Sequence, residues 1–211
     1  MSTLHLPDCL NARDLGGLPL GDAVAVRAGA LLRSDNHDRL TPAGIDAVRK
    51  LGVTRILDLR YDWEAREFAS PFADDPIYRN VPLIRESPTY DPTAPEDYRP
   101  ELDESPDLIA AAFTALAEAP AGPVLVHCHA GRDRTGVLTA FALAVAGASV
   151  EAIAAEYALT EGADPATMLA VLDHLDRHWE GATGYLMKAG VQEHHLRAVA
   201  DRLTERRSEQ A

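Results

Sequence analysis

The chain is short of cysteine, of aromatic residues and of positive charge. Only Cys9 and Cys128 occur in 211 residues, which is no disulfide framework for a chain of this size. Lysine and arginine number 20 against 33 aspartates and glutamates, a formal net charge of −13. That balance argues against broad attraction to nucleic acid or to anionic bilayers, so any anion the protein binds must be held locally. No apolar run approaches the roughly 20 residues of a spanning helix, and the start "MSTLHLPDCLNARDLGG" has no basic region leading into an apolar one. No nucleic-acid partner and no stable membrane insertion are expected, and the chain reads as cytoplasmic. The 46% apolar content in turn suits one folded domain spanning residues 1–211.

Alternating strand and helix signals run along that length. "DAVAVRAGALL", from Asp22, carries β-prone runs broken at Gly29, which predicts a short hairpin. Thr41 and Pro42 open a helix whose face is Ile45, Val48 and Leu51 and which ends at Gly52; "VTRILDL" follows as a buried strand. Residues 85–106 are proline-rich and acidic with no periodic apolar face, which reads as a long, lid-like loop. Ser105 and Pro106 start a helix to Ala119, and "PVLVHC" is a second buried strand. "TGVLTAFALAVAGA", from Thr135, is a helix apolar enough for the core. Beyond Gly147 come further helices, opened by Ser149, by Asp164 with Pro165, and by Gln192. This order predicts an α/β fold with a mainly parallel central sheet flanked by helices and a helical C-terminal part.

The chemistry concentrates in "VLVHCHAGRDRTG", Val124 to Gly136, where a strand turns into a helix. Such turns are where parallel sheets place ligands, and inward N–H groups at a helix start cradle a tetrahedral oxyanion. His129, Ala130, Gly131, Arg132, Asp133 and Arg134 form that cradle, with Gly131 allowing the tight curl. The same field favours a thiolate, which makes Cys128 the nucleophile. Arg134 supplies a planar fork for two phosphoryl oxygens, Asp133 a proton for the leaving group, and Thr135 a hydroxyl for the sulfur in the second step. His127 orders the loop backbone and tunes the sulfur.

"HCHAGRDRTG" resembles the phosphate-binding loop of the cysteine-dependent protein tyrosine phosphatases. With Asp before the Arg, it is similar to the bacterial, lipid-phosphatase-like branch, which commonly reads His-Cys-x-x-Gly-Lys-Asp-Arg. "NARDLGG" from Asn11, "LLRSD" from Leu31, "LTPAGIDAVRKLGVTRILDLR" from Leu40 and "YLMKAGVQEHHLRAV" from Tyr185 extend the likeness over most of the chain. The resemblance implies that fold, no cofactor, a metal-free two-step reaction through cysteinyl-phosphate, and a phosphorylated protein or phospholipid head group as partner. It also implies that the loop aspartate, here Asp133, serves as the acid. Arg132 departs from the pattern, standing where the branch has lysine.

Several assignments stay open in the sequence. Asp58 and Arg60 close "ILDLR" near the ligand edge, either as substrate contacts or as an ion pair; Arg13 and Asp14 read first as loop scaffolding. Asp62, Asp91, Asp97 and Asp103 are alternatives to Asp133 as proton donor. His127 and His129 flank Cys128 but point different ways, and His174 and His178 lack a third ligand, so no metal is expected and His174 and His178 read as a solvated face. Cys9 reads as a small semi-buried side chain outside the site. The competing functions are a tyrosine or dual-specificity phosphatase, a phosphoinositide phosphatase, and a catalytically weak phospho-ligand module. Sulfur or arsenate transfer on the same loop ranks below all three.

Overall fold

The structure, a computed structural model, describes residues 2–86 and 97–206. Its strands are β1 (Ser2–Thr3), β2 (Arg13–Asp14), β3 (Val24–Val26), β4 (Leu31–Ser34), β5 (Arg55–Asp58), β6 (Tyr78–Asn80), β7 (Val124–His127) and β8 (Thr204–Arg206). The helices are α1 (Pro42–Lys50), α2 (Asp62–Glu67), α3 (Arg99–Glu104), α4 (Pro106–Ala117), α5 (Asp133–Val145), α6 (Val150–Tyr157), α7 (Pro165–Trp179), α8 (Gly181–Lys188) and α9 (Glu193–Leu203). A six-stranded sheet runs β1-β2-β4-β7-β5-β6, parallel from β4 to β6 and antiparallel at β1 and β2.

The central strands carry apolar side chains to both faces, as parallel strands covered by helices do. Val124 and Val126 join Leu31 and Leu57 in the larger core, against α4, α5, α8 and α9. Leu125, one residue out of phase, joins Leu32 and Ile56 in a second core against Val48 of α1. Each such fully buried aliphatic side chain contributes about 1.5–3 kcal/mol. The parallel register sets Ser34, Asp58 and His127 side by side at the carboxyl edge. That is the edge from which the Cys128 loop departs.

Four local expectations change. Residues 22–32 form no hairpin, because β4 is flanked on both edges by β2 and β7; β3 instead pairs with β8. Gly29, at φ +73°, carries the chain from one sheet to the other. The lid-like segment is not wholly irregular, since α3 occupies Arg99–Glu104 and buries Leu102. Residues 87–96, Asp91 among them, lie outside the described residues. α5 begins at Asp133 rather than Thr135, its first turn closed by Gly136 N–H on the Arg132 carbonyl at 2.8 Å. Ser105 and Thr41 precede their helices without capping them: the Ser105 hydroxyl accepts from Arg85 N–H, and Thr41 donates to Asp8.

Candidate active site

The loop joining β7 to α5 is held by its carbonyl groups. The Cys128 carbonyl accepts from His127 Nδ1 at 3.2 Å, His129 from Asn36 N–H at 3.0 Å, and Ala130 from Asn11 Nδ2 at 2.8 Å. Arg33 Nη2 takes both the Gly131 and the Arg132 carbonyls, at 2.6 and 3.0 Å. Arg33 is itself fully buried and paired with Glu156 at 2.7 Å, which also binds Arg13 at 2.8 Å. With the carbonyls turned onto the scaffold, the loop's N–H groups face the other way. Among the described residues, those of His129, Ala130, Gly131 and Asp133 have no acceptor in the protein. Successive N–H groups left together in this way make an anion nest.

Gly131 is required where it stands. Its φ is +66°, and a Cβ there would sit 2.3 Å from the Ser34 carbonyl oxygen and 2.6 Å from Asp35 N. Neither contact is relieved by a side-chain rotation, because both are with backbone. Gly131→Ala is therefore expected to displace the loop, weakening orthophosphate binding at least tenfold in a calorimetric titration and destabilising the fold by about 1–3 kcal/mol in urea unfolding. Binding and stability equal to wild type would show that the curl does not depend on glycine.

Cys128 lies at the base of the nest, 3% exposed. Arg134 comes from the first turn of α5 and is clamped by Glu64 of α2, with Nη1 to Oε2 at 2.5 Å and Nη2 to Oε1 at 3.1 Å. Glu64 Oε2 also accepts from Tyr61 N–H at 3.0 Å, and the guanidinium lies 5.0 Å from the centre of the Tyr61 ring. Burial works against the charge on Arg134, but Glu64 and the Cys128 sulfur outweigh it and hold the group above the ordinary guanidinium value. The Glu64 carboxyl is held down by the same bonds, against its own burial. Glu64 escaped the sequence reading. Its signal, an acid three residues into a helix that begins after Tyr61, marks a helix start and says nothing of Arg134.

Asp133 is half-buried, its Oδ1 accepting from Tyr157 Oη at 2.6 Å and both oxygens facing Arg132 Nε at 3.2 and 3.0 Å. The Thr135 hydroxyl is buried and has no hydrogen-bond partner among the described residues, the Cys128 sulfur included. His129 is exposed at the rim, edge-on to Phe68 at 6.0 Å. His127 is fully buried, stacked on His37 at 4.1 Å. Its bond to the Cys128 carbonyl puts the proton on Nδ1, and burial holds the ring below the ordinary imidazole value. It therefore stays neutral as a strut of the loop.

Asp58 and Arg60 do not reach substrate. Both are fully buried as an ion pair at 2.5 Å, tied also to Tyr78 and Asn80, and burial removes them from the cleft. Arg13 and Asp14 are scaffolding: Arg13 binds Glu156 and Thr160, and Asp14 takes the N–H groups of Gly16 and Gly29. Of the alternative acids, Asp62 is exposed at the start of α2, Asp97 binds Arg99 and Asp103 binds His174 at 3.0 Å. His174 is thus no solvated residue, because α3 packs on α7 and covers it to 14% exposure; His178 is exposed as expected. Cys9 donates to Asp35 Oδ1 at 3.0 Å, and burial followed by that carboxylate pushes its thiol up, away from reactivity. Among the described residues no three His, Cys, Asp or Glu side chains converge as a metal site would.

A buried cysteine under unpaired N–H groups, a clamped arginine six residues on and a parallel sheet behind them define a phosphatase of the cysteine-loop class. Residues 4–167 match the model of the tyrosine phosphatase family, and the chain belongs to that family. It is 29% identical to a tyrosine-protein phosphatase of Nostoc commune, over 88% of this chain and 78% of that one. It is 30% identical to the triple specificity protein phosphatase PtpB of Mycobacterium tuberculosis, over 74% of this chain and 68% of the relative. Among solved structures, the core catalytic domain of the PP-IP phosphatase SIW14 from S. cerevisiae superposes with a TM-score of 0.44 at 19% identity, covering 72% of this chain and 86% of that one. The protein is a tyrosine phosphatase by family, and among its described residues no helix is long and apolar enough to cross a membrane.

Proposed function

We propose that this protein hydrolyses aryl phosphates, phosphotyrosine in proteins above all, through a cysteinyl-phosphate on Cys128. The Cys128 sulfur attacks phosphorus while the loop N–H groups and the Arg134 fork hold the equatorial oxygens of the phosphoryl group. Asp133 protonates the departing oxygen, and Thr135 supports the sulfur when water cleaves the S–P bond. No separate base is needed, which suits the neutral, carbonyl-bound His127. A reducing compartment such as the cytoplasm, where Cys128 stays a free thiol, is the setting this chemistry requires.

The aromatic rim carries the substrate choice. Tyr61 and Trp63 stack at 6.4 Å beside Arg134, Trp63 is 42% exposed, and Phe68 stands against His129 on the same rim. Flat apolar surfaces beside a phosphate site suit an aryl ester. A multiply phosphorylated inositol would need further cations there, and Arg132, the extra cation of the loop, is engaged by Asp133. The net charge of −13 also opposes docking on an anionic bilayer. Phosphate release, with a metal chelator present, is expected to be fastest from phosphotyrosine peptides, slower from phosphoserine and phosphothreonine peptides, and slowest from phosphoinositide vesicles. Lipids turning over faster than phosphotyrosine would favour the phosphoinositide reading, which the engagement of Arg132 argues against. Release from no member of the panel would favour a binding module.

A further inference from the structure

Asp133 is not the last residue of the acid machinery. Tyr157, at the end of α6, is 1% exposed and touches Asp133 through its hydroxyl at 2.6 Å. Its ring fits beneath α5 because residue 136 is glycine: a Cβ there would lie 2.7 Å from Tyr157 Cδ2 and 2.8 Å from Cε2. The preceding residue, Glu156, anchors α6 to the loop through Arg33, whose guanidinium holds the Gly131 and Arg132 carbonyls. Two consecutive residues of α6 therefore grip the loop, one its backbone and one its acid.

We infer that Tyr157 is a positioning residue that fixes which oxygen of Asp133 carries the catalytic proton; the inference rests on Asp133 being the acid. Oδ1 accepts from both the Tyr157 hydroxyl and Arg132 Nε, whereas Oδ2 accepts from Arg132 Nε alone, so the proton of the neutral carboxyl resides on Oδ2, the oxygen with the freer lone pair. In the first step the Sγ–P bond forms, the P–O ester bond breaks, and the Oδ2 proton passes to the departing oxygen. The resulting carboxylate is held by Tyr157 and by Arg132 Nε, ready to take a proton from water when water attacks phosphorus and the S–P bond breaks. Burial and the Asp133 charge hold the Tyr157 phenol above its ordinary value, so it stays a donor throughout. The charged groups that act on the phenol besides Asp133 are Arg132 on the loop and Arg33 on β4, and the neighbouring Glu156 is spent on Arg13 and Arg33.

Tyr157→Phe keeps the ring and removes the hydroxyl. With a phosphoserine peptide, a poor leaving group, kcat/KM is expected to fall about tenfold, and with 4-nitrophenyl phosphate by less than about twofold. Orthovanadate should bind as in wild type, because the nest and Arg134 are untouched. On the phosphoserine peptide the Tyr157→Phe/Asp133→Asn double variant should be no slower than Asp133→Asn alone, since one residue acts through the other.

Losses that add in the double variant, or a Tyr157→Phe enzyme that loses as much on 4-nitrophenyl phosphate as on the phosphoserine peptide, would overturn the role of Tyr157 while Asp133 remained the acid. Equal losses on both substrates in Asp133→Asn would instead overturn Asp133 itself and with it the inference. If Tyr157→Phe does not fold, a neutron structure of the wild type decides: a proton on Oδ1, or no hydrogen bond from the phenol, rejects the assignment.

Discussion

Cys128→Ser is expected to lower phosphate release from a phosphotyrosine peptide by about 10,000-fold or more, the scale seen when an attacking atom is removed. A serine hydroxyl is a far weaker acid than a thiol and attacks only with a base to take its proton. His127 is the adjacent imidazole, but it is fully buried and its Nδ1 proton is committed to the Cys128 carbonyl. Its neutral ring serves geometry and leaves the hydroxyl unactivated. Binding should survive, because the N–H groups of the nest and the Arg134 fork do not depend on sulfur. Calorimetry with orthophosphate should return an affinity within a few-fold of wild type while turnover is lost. A serine variant retaining more than about one part in a hundred of the activity would exclude a cysteinyl-phosphate.

Arg134→Lys is the second large effect, about 1,000-fold in kcat/KM, comparable to losing an arginine that stabilises a phosphoryl-transfer transition state. The charge is retained, so the loss measures geometry. Lysine cannot span both Glu64 oxygens, nor present two parallel N–H groups to phosphate. Glu64→Gln should cost about tenfold through the same contact, because an amide leaves one acceptor for a two-pronged fork. If Arg134→Lys and wild type differ by less than about tenfold, the fork is not what binds the transition state.

The same latch sets a pH dependence. Arg134 holds the folded Glu64 carboxyl below its unfolded value, so the pair's stabilisation is present above that unfolded value and is lost as pH falls through the folded one. Thermal unfolding followed from neutral to acid pH should show this contribution fading in wild type and missing in Glu64→Gln.

Much of this was legible without coordinates because it is local. The strand and the curl lie within the thirteen residues from Val124 to Gly136, where steric and hydrogen-bonding preferences act over a few bonds, although α5 starts two residues before its apolar run. The apolar runs of β5 and β7 announced a buried parallel sheet, and its carboxyl edge located the site. β3 and His174 were misread because their fate depends on distant partners. β3 had the composition of a hairpin strand, but its partner, β8, is some 180 residues away, beyond any local signal. His174 had the pattern of an exposed face until α3 covered it.

The sequence by itself determined which reactive groups are available: a cysteine, an arginine and an aspartate on one loop, with an α/β frame to present them. Tertiary structure alone decided how each is held. Glu64 meets Arg134 across 70 residues, Arg33 reaches the Gly131 carbonyl across 98, and Tyr157 meets Asp133 across 24. Such contacts follow from sheet register and helix packing, which bring together side chains whose spacing along the chain carries no periodicity. Reactive groups are properties of residues, whereas their orientation is a property of what packs behind them.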